Sequence, residues 1–269
     1  MDNNAFENRY TAKVEPLYGE PRNEETDQLH ITNNNVAKSK HDTNTRIYSI
    51  PSDQRIDFTT KPTYSIDPPG CEDADDAFSI YTHHAESEGE TLWLAIHIAD
   101  PTELIHIESS LWKDIVERTT TRYPSNRKPI HMMPKPIVDE ASLMVNSFGD
   151  RKNAITILTN IDSETFAPRG RIKLLFTTIK VETDRALTYH DACSSVDTNF
   201  VLSTGLKISK ALREQRAKKT LGTRLSDVTT STVHYNDTHG AHLATPDEKE
   251  IHMKQMIAEF AIFANSFVG

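Results

Sequence analysis

The chain has 269 residues, 36% hydrophobic and 26% charged, which suits one large domain or one domain with an extension. A formal net charge of −9 argues against a uniformly basic nucleic-acid binder, because phosphate contacts need Lys and Arg, yet it leaves room for a local basic patch or a metal site. Two cysteines, Cys71 and Cys193, make no disulfide framework or Cys-rich zinc site, and no signal peptide or membrane-spanning apolar run is visible, so a soluble intracellular protein without membrane contact is expected.

Residues 1–50 are polar and weakly periodic and read as an N-terminal extension, ending in a short strand-like run, Arg46 to Ile50. From residue 51 onward the pattern is that of a domain. Thr91 to Ile98 is apolar on both faces, as in a buried strand. Ser110 to Arg118 reads as a helix capped by Ser109 or Ser110, with Leu111, Ile115 and Arg118 on one side. Residues 119–137, rich in Pro, Thr and basic side chains, read as an extended loop. Ala154 to Ile161 and Arg171 to Val181 alternate as paired strands around a turn at Asp162-Ser163-Glu164. Residues 199–218 and 249–267 read as helices; Met253, Met256, Ile257, Phe260, Ala264 and Phe267 make one apolar stripe on the second. Between them lies a strand-rich or irregular connection, Leu225 to His242. The mixture implies an α+β fold, a mixed sheet flanked by helices.

The strongest chemical signal is the segment from Ser65 to Ala77. Asp67, Glu72, Asp73, Asp75 and Asp76 place five carboxylates in ten positions, and these repel one another unless cations neutralise them. Pro68, Pro69 and Gly70 form a turn that brings Asp67 back towards the later aspartates. Ala77 to Tyr81 then enters a strand. Hard oxygen ligands on a tight loop beside buried strands suit Mg²⁺, with Mn²⁺ as a substitute. A solvated acidic turn would show the same composition. The EF-hand spacing that would indicate calcium is absent.

Asp67 followed six residues later by Asp73-Ala74-Asp75-Asp76-Ala77 matches the paired-aspartate pattern of the ribonuclease II / ribonuclease R family. In order along the chain come Ile96-His97-Ile98-Ala99-Asp100-Pro101-Thr102, similar to that family's H-I-A-D segment, then Arg118 to Tyr123 with Pro129 to Pro134, then Ser142-Leu143, then Leu212 to Arg216, and a last helix ending in Ala264-Asn265. The chain therefore resembles the N-terminal portion of an RNB-type catalytic domain over residues 51–269.

The resemblance implies a magnesium-dependent 3′-to-5′ exoribonuclease, a phosphodiester hydrolase releasing 5′-mononucleotides from single-stranded RNA. It assigns metal binding to Asp67, Asp73, Asp75 and Asp76, with Asp75 as the catalytic carboxylate. It assigns RNA contacts to Tyr123, by stacking, and to Arg118 and Arg122, with Arg127, Lys128, Lys135 and Arg151 in the same basic region. His97 and Asp100 are expected to support the metal loop or the sheet. The location implied is the cytoplasm, or the nucleus in a eukaryote.

Two departures temper this. Family members carry β-barrel domains on either side of the catalytic domain, and the polar residues 1–50 do not match one. The family's catalytic domain also continues with an S-P-I-R segment, whose arginine assists phosphate chemistry, and this sequence has neither S-P-I-R nor R-R-Y. The expectation is an incomplete domain, weakly active or inactive as an isolated chain, that works with a C-terminal fragment or another protein partner. A noncatalytic remnant that binds RNA or metal is the alternative.

Overall fold

The computed structural model describes residues 52–85, 89–105, 109–122, 129–219, 232–236, 240–244 and 248–268. The Arg46–Ile50 strand and the polar extension lie outside the described residues. The described residues fall into two compact units.

The larger unit, Ile56–Ala99 with Leu143–Gly269, is built on a five-stranded sheet. Strands β1 (Ile56–Asp57), β2 (Ser65–Asp67), β3 (Asp76–Ala85), β4 (Gly89–Ala99), β5 (Arg151–Ile161) and β6 (Pro168–Lys180) follow in chain order, and the sheet runs β1-β6-β5-β4-β3. β3 to β6 form an antiparallel meander, while β1 joins β6 in parallel, so the sheet is mixed. β2 stands apart, paired in parallel with β7 (Ala186–Thr188). The helices of this unit are α3 (Tyr189–Ser195), α4 (Phe200–Lys219) and α5 (Glu248–Val268). A hairpin of β8 (Thr232–Asn236) and β9 (Gly240–Ala244) falls in the connection expected to be strand-rich or irregular.

The two sheet faces carry separate cores. Strand residues two apart share a face, so Phe78, Ile80, Leu92, Leu94, Ile96, Ile157 and Ile161 line one side. They pack with Leu202, Ile208 and Leu212 of α4 and Met253, Met256, Phe260 and Ala264 of α5. The predicted α5 stripe is thus buried from Met253 to Ala264, with Phe267 exposed at its end. Gly205 lets α4 approach: a Cβ there would lie 2.7 Å from Met256 Sδ. Arg216 of α4 pairs with Glu259 of α5, and the Arg213 guanidinium donates to Gln255 at 3.2 Å.

The second face holds Ala77, Ala95, Ala154, Leu158 and Ile179 under Phe58, Leu143 and Val181. A buried polar chain crosses it. His97 Nδ1 meets the Thr156 hydroxyl at 2.8 Å and Nε2 the Ser79 hydroxyl at 3.0 Å, and Thr156 meets Thr177 at 2.6 Å. Thr177 donates onward to the Ala154 carbonyl, which orients the chain so that Nδ1 carries the ring proton. His97 is thus a fully paired structural histidine supporting the sheet, and burial pushes its pKa down to about 3.

In the smaller unit, Asp100–Ser142 with the described residues up to Arg55, helix α1 (Ser110–Arg118) starts where the sequence placed it. Ser109 caps it, accepting from the Trp112 amide at 3.0 Å. Leu111 and Ile115 bury against Ile137. The loop expected to reach residue 137 ends at Pro134, where α2 (Lys135–Ala141) begins. The reason is Pro136: proline in a first helical turn removes an amide that has no helical partner anyway, so it starts a helix rather than breaking one. Asp100 has two tasks. Its carboxylate pairs with Arg55 at 2.7 Å, both side chains fully buried, and it caps the turn Pro101–Glu103 by accepting from the Thr102 amide and hydroxyl.

Candidate functional site

The acidic segment is folded back on itself. Pro68 to Cys71 form a tight turn closed by Cys71 N–H donating to the Pro68 carbonyl at 3.1 Å. Pro69 supplies the fixed φ of the second turn position and Gly70, at φ +79°, the positive φ of the third, the arrangement of a type II turn. Nothing crowds a Cβ at Gly70, so the cost of Gly70→Ala is purely that of holding an L-residue in the left-handed region, about 1–2 kcal/mol. Urea unfolding should show that loss with the fold retained. An unchanged midpoint would remove the turn's constraint.

Backbone bonds fix the rest of the segment. Tyr64 and Phe78 exchange both amide bonds at 2.8 Å, so the strand leading to Asp67 runs beside the strand that starts at Asp76. The Ala99 amide donates to the Asp75 carbonyl at 2.9 Å, and the Leu143 amide to that of Ala74 at 2.9 Å. The Cys71 thiol donates to the Asp73 carbonyl at 2.9 Å. Ala74 between the aspartates is fully buried, while Asp75 is exposed and Asp67, Asp73 and Asp76 are half-buried.

The consequence is electrostatic. Burial first, and then the charges of Asp76, Asp75 and Asp73, push Asp67 up to about 6, against the Ser65 side chain, which favours the charged form and pulls the value down. Asp76 is also raised, by burial first and then by Asp75. The four aspartates of the sequence pattern therefore share one field. Among the described residues, no three His, Cys, Asp or Glu side chains close into a finished metal cage. Carboxylate oxygens in ones and twos are nonetheless the kind of donor through which Mg²⁺ is commonly held, with waters completing its shell.

Three residues that sequence reading passed over stand at the same place. β2 pairs Asp67 with Thr188, setting Asp67 beside the start of α3. Tyr189, the first residue of α3, has its phenol pushed up by burial and then by the charges of Asp67, Asp76, Cys71 and Glu250, so it remains a protonated donor. Glu250 lies in the first turn of α5 and pairs at 2.9 Å with Lys254, whose ammonium stands 5.4 Å from the Tyr189 ring centre. The local signal for α3 was Thr188-Tyr189-His190-Asp191: Thr188 accepts from the Asp191 amide at 3.1 Å and its hydroxyl donates to the Asp191 carboxylate at 2.7 Å. Nothing local ties Glu250 or Lys254 to residues almost 200 positions earlier.

The expected RNA contacts divide differently. Tyr123, Arg127 and Lys128 lie outside the described residues. Arg118 and Arg122 belong to the smaller unit: Arg118 donates to the His131 carbonyl at 2.7 Å, and Arg122 exchanges backbone bonds with Ile130.

A pH prediction follows from His97 and Asp67. His97 has its pKa depressed from 6.5, so the stability from its neutral burial is full above pH 6.5 and lost as pH falls towards 3, at up to about 1.4 kcal/mol per unit. Asp67 is raised from 3.8 to about 6, so its contribution is present below 3.8 and lost as pH rises through 6. Between roughly pH 4 and 6 the two oppose, and Asp67, being partly exposed and screened, is the weaker. In metal-free buffer the Asp67→Asn variant should lose stability more steeply than the parent as pH falls through that window. Urea midpoints that stay parallel would exclude the coupling.

The RNB-domain family model matches residues 55–269. Exosome complex exonuclease dis3 of Schizosaccharomyces pombe is 30% identical over 186 residues, covering 63% of this chain and 18% of its own length. The chain thus spans less than a fifth of that relative. The solved structure of Mycoplasma genitalium RNase R in complex with ribose-methylated single-stranded RNA superposes with a TM-score of 0.63 at 17% identity, covering 90% of this chain and 36% of that one. Yeast Ssd1, described as a pseudonuclease, superposes with a TM-score of 0.59 at 19% identity, covering 81% and 26%. The last two likenesses are of fold.

Proposed function

The chain belongs to the RNB-domain family, and from that membership we propose that it carries the carboxylate centre of a magnesium-dependent 3′-to-5′ exoribonuclease acting on single-stranded RNA. The observation that carries the reading is the fold of the acidic segment: the Pro68–Cys71 turn and the paired Tyr64–Phe78 amides return Asp67 to Asp75 and Asp76, whose charges raise it. Four acids kept together at such a cost to one of them are suited to a cation rather than to a solvated turn. Asp67, Asp73, Asp75 and Asp76 would hold Mg²⁺, or Mn²⁺ in its place, and the bound ion would supply charge for the phosphate oxygens and an activated water. Asp75, the most exposed of the four, is the carboxylate best placed to meet substrate. Tyr189 keeps its proton and can donate to a substrate oxygen. Lys254 brings positive charge to the same neighbourhood.

In the same reading Tyr123, Arg118 and Arg122 contact the RNA substrate, and a protein partner assists. Both cysteines are free thiols, in keeping with the reducing interior of a cell. Among the described residues no helix is long and apolar enough to cross a membrane. The rival, a noncatalytic RNA- or metal-binding member, draws on one observation: a pseudonuclease shares the fold, so fold alone does not decide catalysis.

Calorimetric titration with Mg²⁺ and Mn²⁺ tests the centre independently of turnover. The parent should bind, and the triple variant Asp73→Asn, Asp75→Asn, Asp76→Asn should not. Equal affinity in both would remove the metal centre from this segment.

A further inference from the structure

We propose that the sheet face turned away from α4 and α5 carries, at the end remote from the aspartates, a second docking surface for single-stranded nucleic acid. The strand register places its parts. Tyr81 pairs with Trp93, Trp93 with Asn160, and Asn160 with Arg169, so these four form one row on one face, spanning roughly 14 Å at ~4.8 Å per strand. The next row along the strands ends in Lys173, opposite Leu158. Ile172 packs into the helix-side core, which sends its neighbour Lys173 to the other face. Tyr81 lies five residues along β3 from Asp76, about 17 Å away, and on the opposite face because the separation is odd. The surface is therefore separate from the carboxylate centre, and it does not depend on that centre being catalytic.

Its chemistry selects the occupant. Arg169, Arg171 and Lys173 are exposed and Lys61 is half-exposed with its ammonium 4.5 Å over the Tyr81 ring, four cations in a chain whose net charge is −9. Phe58 meets Tyr81 edge-on at 6.5 Å, fixing that ring in place. Trp93 rests against the core with one side, and its one polar atom is already used, Nε1 donating to the Thr91 hydroxyl at 3.0 Å. Among the described residues no aromatic ring stacks on it. The acids of the adjoining turn are partly committed: the Asp162 carboxylate accepts from the Thr165 amide and hydroxyl and the Glu164 amide. A flat ring held by a sheet and flanked by guanidinium and ammonium groups takes a polyanion with flat faces: bases stack and phosphates pair. Basic residues on an edge strand also discourage edge-to-edge pairing of sheets, but that role calls for no aromatic row and predicts no binding.

Trp93 reports on its own surface. With Trp112→Phe, it is the only tryptophan in the chain. That protein would be titrated with a twelve-residue oligouridylate in EDTA, where no metal-dependent turnover occurs. Trp93 emission should be quenched to saturation. The double variant Arg169→Gln, Lys173→Gln should bind about tenfold more weakly, with its log-log salt slope lowered by about 1.4, since each single-strand phosphate contact contributes about 0.7. Asp75→Asn should leave the quench unchanged. Absence of quenching, or equal affinity and salt slope in the double variant, would overturn the proposal. Quenching without hydrolysis would count against the exoribonuclease reading alone, and metal-dependent hydrolysis with a silent Trp93 against this surface alone.

Discussion

Phe78→Ala is expected to destabilise the larger unit by about 3–5 kcal/mol, the usual cost of emptying a buried phenylalanine site. Phe78 is 2% exposed, two residues from Asp76, with its ring 5.3 Å from that of Phe260 and 6.2 Å from that of Tyr64. The lost side chain would leave a cavity between β3 and α5 that rigid strand backbone cannot fill. The same strand starts at Asp76, directly after Asp75, so metal affinity should fall together with stability. Urea unfolding followed by metal titration of the folded fraction checks both. A loss below about 1 kcal/mol would mean that α5 does not seat on this part of the sheet.

Asp75→Asn should act in the opposite sense on the two properties. Asp75 is exposed, and its charge raises both Asp67 and Asp76. Neutralising it relieves repulsion, so stability should hold or rise slightly. RNA hydrolysis should fall by about 10²–10³-fold, the scale of removing one preorganised group from a charged reaction centre. A variant both unstable and inactive would show a structural rather than a chemical role.

Much of this was legible in the sequence wherever period and capping are local. Thr91 to Ile98 read as a buried strand because α4 and α5 cover one face along it and Phe58, Leu143 and Val181 cover the other around Ala95, and Ser109 announced α1. The α5 stripe read correctly up to Ala264, while Phe267 continues the period beyond the sheet that covers the others. Pro136 misled because proline marks a loop and a helix start alike. The aspartate turn was legible because Pro69 and Gly70 dictate their own dihedrals. Tyr189, Glu250 and Lys254 were not, since only the β2–β7 pairing and the seat of α5 bring them to Asp67. The Trp93–Arg169 row likewise depends on register across three strands and a bulge in β6.

The most direct test is single-turnover degradation of a single-stranded RNA labelled at its 5′ end, with the chain in excess over RNA. Shortening from the 3′ end by one nucleotide at a time is predicted, slow for this chain alone, present with Mg²⁺, absent with EDTA, and reduced at least about a hundredfold by Asp75→Asn. RNA that stays intact with Mg²⁺, or is cut equally well by the parent and Asp75→Asn, would contradict the assignment of phosphodiester hydrolysis to this carboxylate centre.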